Sequence, residues 1–188
     1  MAEVLIITGP PGAGKTTVAR ALADRYDRVA HIEVDVLRHF ITPTGYIGPS
    51  RPGFARQNAL AVRNACCLAL NFLAERFAVI IDDVIIDSAG IASYVEGLKP
   101  AGVAVHCVRL LPSLAVCQQR NQQRQEGRVA PRRVEQVWRQ MTAIGELPGL
   151  TLDTSALSAF ESADRLQAAT TSGASLVWRP ADANAQGA

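Results

Sequence analysis

The chain has 188 residues, is 48% apolar and carries a formal net charge of +2 at pH 7. That is long enough for one domain with a substantial core, too apolar for a disordered chain, and too nearly neutral to call for nucleic acid or an acidic membrane as a partner. Its four cysteines, Cys66, Cys67, Cys107 and Cys117, show neither zinc-ligand spacing nor a C-x-x-C pair, so neither a zinc site nor a disulfide framework organises the fold. The opening "MAEVLII" lacks a basic start, and no apolar run approaches the length of a membrane span; a reducing cytoplasm is the expected place.

The first element expected is a buried strand, "VLIIT" (4–8), followed by a helix over 15–25. Between them, "GPPGAGKTT" satisfies the phosphate-loop (Walker A) pattern with Gly9, Gly14, Lys15 and Thr16. Strand, glycine-rich loop and helix together are the context that pattern needs. The glycines let backbone N–H groups converge on phosphate oxygens, and the helix start adds partial positive charge. The residues expected to hold a nucleotide are Gly9, Pro10, Pro11, Gly12, Ala13, Gly14, Lys15, Thr16 and Thr17. Lys15 would reach the terminal phosphates, and the Thr16 hydroxyl would ligate magnesium. Of 19 basic residues only Lys15 and Lys99 are lysine, so lysine in this loop is not a habit of the chain.

Further strands are expected at 29–34, 78–83, 103–110 and 149–154, with helices at 54–76, 90–98, 113–125 and 131–144 between them. A last helix begins at Ser158, whose Glu161 three residues on is a capping-box signature. The alternation predicts an α/β fold of three layers, a five-stranded parallel sheet with helices on both faces, and strand C-termini along one ligand-binding edge. The Pro/Gly-rich loop 41–53 falls on that edge and reads as a substrate cover or a plain connection. Residues 1–170 are expected to form a single domain, with 171–188 a partly frayed tail.

Three carboxylates stand at strand ends on the same edge. Asp35 follows the second strand and is placed to take the proton of an attacking hydroxyl. Asp82 and Asp83 end the third strand; one would hold magnesium, and Asp82 is assigned to the metal with Asp83 on the substrate side, an assignment the spacing leaves exchangeable. Arg38, three residues after Asp35, would share its helical face and fix substrate. Arg56 and Arg63 lie seven apart on one helix, where Arg56 is a substrate-binding candidate and ordinary solvated arginine the alternative. In "CQQRNQQRQEGR", Arg120, Arg124 and Arg128 are four apart and would stack on one helical face as a lid, about 118–134, that brings Arg120 and Arg124 to the triphosphate. A nucleic-acid-binding face ranks lower, since Trp138 is the single aromatic nearby.

The phosphate loop, "VDVLR" after the second strand, "VIIDDV" at the third, "LLPSLAVCQQRNQQR" and "LDTSALSAFESADRL" together resemble the small P-loop kinases, the chloramphenicol phosphotransferase-like group above all, over residues 3 to 170. The resemblance implies ATP with Mg2+, Asp35 as the base on a substrate hydroxyl, and lid arginines at 120 and 124. The acceptor region, "TGYIGPSRPGFARQ", matches no antibiotic pocket, so the implied activity is phosphoryl transfer from ATP to a small-molecule hydroxyl, with antibiotics such as chloramphenicol among the candidate acceptors. The competing readings are a nucleotide-dependent switch or accessory ATPase and a polynucleotide 5′-hydroxyl kinase.

Overall fold

The computed structural model describes residues 3–42, 45–49 and 51–181. At its centre is β1 (Val4–Thr8), buried along its whole length between two parallel neighbours, β3 (Ala78–Asp82) and β4 (Val105–Leu110), which are buried as completely. Strands covered on both faces and paired on both edges have no solvent side to show, which is why β1 and β3 read as nearly continuous apolar runs, while β4 buries His106 and Arg109 among its apolar residues. β2 (Val29–Glu33) pairs outside β3 and β5 (Leu150–Leu152) outside β4, giving the parallel order β2-β3-β1-β4-β5. The order reverses at β1, and the crevice beyond its C-terminal end is where such sheets bind ligands.

Helices cover both faces. Leu5, Ile7 and Ile80 pack with Val18 and Leu22 of α1 (Lys15–Ala23) and Leu166 of α7 (Ala159–Ser172). Val4, Ile6 and Ile81 point to the other face, against Ala65 of α3 (Phe54–Ala74) and Tyr94 and Leu98 of α4 (Ser88–Leu98). The period-2 alternation of β1 thus feeds two cores at once. Ser158 and Glu161 form the full capping box of α7, as the sequence suggests, and Asp87 caps α4, which starts at Ser88 rather than 90, by accepting from Gly90 N at 2.9 Å. Among the described residues no helix is long and apolar enough to cross a membrane.

Three expectations need correction. The run taken as strand 29–34 stops at Glu33, and Val34 opens a short helix, α2 (Val34–His39). Its β-branched Val34 and Val36 prolong the look of a strand, but burial of Val34 and Leu37 against α3 decides in favour of a helical turn.

The sheet also has a sixth strand, β6 (Leu176–Trp178), antiparallel to β4 with Val105 opposite Trp178. It lies in the stretch expected to fray from 171 onward, and the boundary placed at 170 falls inside α7. β6 is held because Cys107 N donates to Ser175 O at 2.8 Å and the buried His106 Nδ1 meets Ser175 Oγ at 3.0 Å. The expectation of fraying for 182–188 lies outside the described residues.

Finally, α5 (Leu114–Gln122) ends before Arg124, so Arg120, Arg124 and Arg128 do not stack on one helix. The Gln-rich stretch offers no apolar face to extend it, and the chain leaves as a loop into α6 (Pro131–Ala143). Trp138 on α6 donates to Pro112 O at 2.8 Å, and the buried Arg109 caps the other end of α6 through Met141 O and Gly145 O.

Ending the chain after Gly173 would remove β6 and orphan His106 and the Cys107 N–H. We expect the midpoint of thermal unfolding, followed by circular dichroism, to fall by about 5 °C or more. An unchanged midpoint would mean that β6 is a passive appendage.

Candidate active site

The loop after β1 is pressed against the connection from β4 to α5. A Cβ at residue 12, where φ is +83°, would stand 2.1 Å from Cys117 O, and one at residue 9 would stand 2.3 Å from Leu110 O. Only glycine fits either place, and the close approach turns the loop's N–H groups inward at the start of α1. Lys15 is buried there, 8% exposed, and among the described residues its ammonium makes one hydrogen bond, a long 3.5 Å one to Pro10 O. A buried cation so thinly partnered fits a site built for anions.

Thr16 Oγ1 donates to Asp82 Oδ2 at 2.5 Å, which puts a hydroxyl and a carboxylate side by side at the mouth of the loop. Burial pushes the Asp82 carboxyl up. The neighbouring His31 ring, the Lys15 charge and the Thr16 hydroxyl outweigh it and hold the group below the usual carboxylate range. His31 Nε2 stands 3.9 Å from Asp82 Oδ2, beyond hydrogen-bond reach, so the ring acts as a nearby dipole. Asp82 is therefore ionised at neutral pH. One hydroxyl and one ionised carboxylate are the donor set that Mg2+ takes when phosphate and water complete its shell.

Asp83 faces the other way, as alternation along the strand requires. It is buried and accepts from Tyr94 Oη at 2.7 Å and Val84 N at 2.7 Å, while Arg38 Nη1 lies 2.8 Å from its Oδ1. The same Nη1 donates to Asp35 Oδ1 at 2.7 Å, and Nη2 donates to Asn58 Oδ1 at 2.8 Å. Burial works against the Arg38 charge, but Asp83 and Asp35 more than offset it and keep the guanidinium protonated. Burial and the adjoining Asp83 carboxylate push the Tyr94 hydroxyl far up, so it remains a donor. Asp35 itself is largely open, its side chain 75% exposed, and Arg38 is what fixes it.

Three cavities meet around these groups. One of about 350 Å³ runs from Gly12, Gly14 and Thr17 past Arg120 and Arg124 to Leu157, Ser158 and Ala159. A second of about 350 Å³ holds Lys15, Thr16, Asp82, Asp35 and Arg124. The third, about 760 Å³, is walled by Pro11, Tyr46, Phe54, Val62, Ile85 and Val137, and is also lined by Asp35, Arg38 and Asp83. Asp35 lines both the second and the third.

The structure thus brings together Lys15, Thr16, Asp82, Asp35, Arg38 and Asp83. Arg124 reaches the phosphate side from the loop beyond α5. Arg120 lines the first cavity, but its guanidinium donates to Ala13 O, Thr154 O and Leu157 O, so it ties the phosphate loop to the start of α7 rather than standing free for phosphate. Arg56 is exposed and lines none of the three cavities; Arg63, a turn and three residues on, lines the largest. Of the loop 41–53, Tyr46 and Pro49 line that cavity, and the Gln57 amide holds Gly45 O and Ile47 N; Pro43, Thr44 and Ser50 are outside the described residues. Tyr94 and Asn58 escaped the sequence reading. Neither carries a charge or motif, and a polar group on the buried face of α4 was the one available hint for Tyr94.

A phosphate loop on a β2-β3-β1-β4-β5 sheet, with a buried lysine and a paired hydroxyl and carboxylate, defines a P-loop nucleotide-binding domain of kinase-like fold. A family model described as an AAA domain matches residues 4–148, most of the chain, and the chain belongs to that family. Among solved structures it is similar to the tunicamycin resistance protein of Deinococcus radiodurans (22% identity, 95% of this chain and 99% of that one, TM-score 0.60). It is also similar to a sugar kinase from Janibacter sp. HTCC2649 (15%, 91% and 95%, TM-score 0.70) and to shikimate kinase from Acinetobacter baumannii (21%, 92% and 94%, TM-score 0.56). At these identities the likeness establishes the fold. No curated protein matches the sequence significantly.

The charge chain Tyr94–Asp83–Arg38–Asp35 makes a graded prediction. Asp83→Asn leaves a buried guanidinium short of its counter-charge and should cost about 3–5 kcal/mol in denaturant unfolding. Tyr94→Phe removes one hydrogen bond to a charged group and should cost about 1.5–3 kcal/mol. A smaller loss for Asp83→Asn than for Tyr94→Phe would overturn this account of the pair.

Proposed function

We propose that this protein is an ATP-dependent kinase that moves the terminal phosphate of ATP to a hydroxyl of a small, largely apolar molecule. The observation that carries the reading is the place of Asp35, on the boundary between the Lys15–Thr16–Asp82 cavity and the large apolar one. A carboxylate shared by a phosphate site and a substrate-sized cavity is where a base for hydroxyl attack belongs.

Bound Mg–ATP would supply the phosphoryl group and neutralise part of its charge, with Thr16 and Asp82 holding the cation. Asp35 accepts the hydroxyl proton as the acceptor oxygen forms its bond to phosphorus and the bond to the bridging oxygen breaks, leaving ADP. Lys15 and Arg124 balance negative charge on the phosphates. Arg38 keeps the exposed Asp35 carboxylate in place, and the apolar walls exclude water that would otherwise compete for the phosphate.

The character of the acceptor follows from the cavity lining. Its acids, Asp35, Asp83 and Asp87, match its bases, Arg38, Arg63 and Arg133, in number, and Arg38 is already engaged. Without surplus positive charge the cavity favours a neutral acceptor over a phosphorylated or polynucleotide one. Hydroxylated antibiotics fit that chemistry, chloramphenicol among them. A cytoplasmic setting agrees with four free thiols, of which burial raises Cys66 to about 11 and Cys107 to about 12.

The test is Mg–ATP turnover with a panel of neutral hydroxylated antibiotics, sugars, nucleosides and oligonucleotides, products weighed by mass spectrometry. A phosphorylated neutral, apolar acceptor is the expected result. ATP turnover indifferent to every acceptor would favour the switch or accessory ATPase, and phosphorylated oligonucleotides would favour the polynucleotide kinase. Lys15→Ala should abolish nucleotide use. Asp35→Asn should bind nucleotide as the parent does and transfer about 10²–10⁴-fold more slowly; normal transfer would remove Asp35 as the base.

A further inference from the structure

We propose that Asn121 is a positioning residue that sets Arg124 over the phosphate site and couples the lid loop to the acceptor cavity. The inference rests on the nucleotide-binding part of the reading above. Asn121 is next to last in α5 and only 3% exposed. Its Nδ2 donates to Val129 O at 2.8 Å, and its Oδ1 accepts from Val129 N at 3.0 Å. The side-chain amide thus copies one bridge of a β-ladder, and the amide orientation is fixed, because the reverse would set donor against donor and acceptor against acceptor.

The clasp closes the chain between residues 121 and 129 into a loop with both ends pinned. Among the described residues no other side chain from outside that loop bonds the backbone of residues 123–130; the bonds from Arg124 to Gly127 O and from Arg128 to Arg124 O are internal and exposed. What the loop carries gives the clasp its function. Arg124 lines the cavity of Gly12, Gly14 and Thr17, and also the cavity of Lys15, Thr16 and Asp82. Val129, the residue clasped, lines the Asp82 cavity and the large acceptor cavity. One buried amide therefore fixes the arginine on one side of the transfer site and part of the acceptor wall on the other. An arginine delivered by an unpinned loop would lose its conformational freedom only on binding phosphate, and each contact would be weaker for it.

Asparagine suits this place for a stated reason. Aspartate keeps the acceptor and loses the donor, leaving Val129 O without its partner; alanine loses both. The role acts through Arg124, so it should appear where the terminal phosphate is present and vanish where it is absent.

Calorimetric titration of the full chain with Mg–ADP and with Mg–AMP-PNP separates the two. Asn121→Ala is expected to weaken Mg–AMP-PNP about tenfold while Mg–ADP stays within about twofold, which also certifies the fold. Asn121→Asp should show the same selective loss to a smaller degree, and serves if the alanine variant does not fold. Arg124→Ala should lose the same discrimination, and the Asn121→Ala/Arg124→Ala pair should be no worse than Arg124→Ala alone. Equal loss for both nucleotides, additive losses in the pair, or no loss at all would each overturn the proposal. Failure of the parent protein to bind either nucleotide would instead overturn the nucleotide reading on which it rests.

Discussion

A guanidinium removed from water has to be answered by charge, and the site of this protein is organised around that requirement at Arg38. Asp83 answers it from the end of β3, Asp35 from the first turn of α2, and Asn58 from α3. Because Asp83 is in turn held by Tyr94 of α4, the one buried ion pair locks two helices and a strand end together. Such a pair adds little net stability over an apolar substitute, while losing one partner is costly; its worth lies in specifying an arrangement. The arrangement specified here is the place of Asp35, an exposed carboxylate that nothing in the core would otherwise hold.

The second constraint comes from the backbone. Cys117 O and Leu110 O occupy the space that side chains at residues 12 and 9 would need, so the phosphate loop lies directly on the connection leading into α5. Arg120 adds a tether from α5 to Ala13 O and to the start of α7. The first turns of α5 are therefore part of the rigid frame. The helix ends at Gln122, and the loop that follows is closed by the Asn121–Val129 clasp. A charge stripe along a continuous helix would have held its arginines at fixed spacing. The observed break separates Arg120, bonded to Ala13 O, Thr154 O and Leu157 O, from Arg124, which lines the cavity of Lys15, Thr16 and Asp82.

Much of this was legible in the sequence because it rests on local patterns. The phosphate loop is a contiguous motif, the central strands β1 and β3 are nearly continuous apolar runs, and the capping box of α7 is a pair three residues apart. What escaped depended on relations between distant segments. Whether Asp82 or Asp83 turns toward Thr16 is set by register, with Ile7 and Glu33 opposite Asp82, and no property of "IIDDV" alone reveals it. β6 is three residues long and holds through Ser175 and a bulged pairing with β4, too short to carry a period. Arg56 and Arg63 share a helix, a charge and, seven residues apart, nearly one face, and Arg63 lines the cavity because of its place along α3 rather than its side of the helix. Tyr94 acts through one hydrogen bond and Asn121 through two, which no composition announces.

Transfer and hydrolysis differ only in which oxygen reaches the phosphate, so a site built on this fold must make one oxygen far more available than the other. An open nucleotide site with a lone base would activate water as readily as an alcohol. Asp35, the proposed base, lines a cavity of about 760 Å³ whose walls are mostly apolar, beside a loop that Gln57 holds on one side and a loop that Asn121 holds on the other. An apolar acceptor filling that volume would displace the water nearest Asp35 and present its own hydroxyl in its stead. Water ordered against such walls would lack the partners that make a bound water favourable. In the proposed reaction, the feature that would select a neutral, apolar alcohol would also protect the phosphate from being lost to solvent, so that acceptor choice and economy of ATP would be one property of the cavity wall.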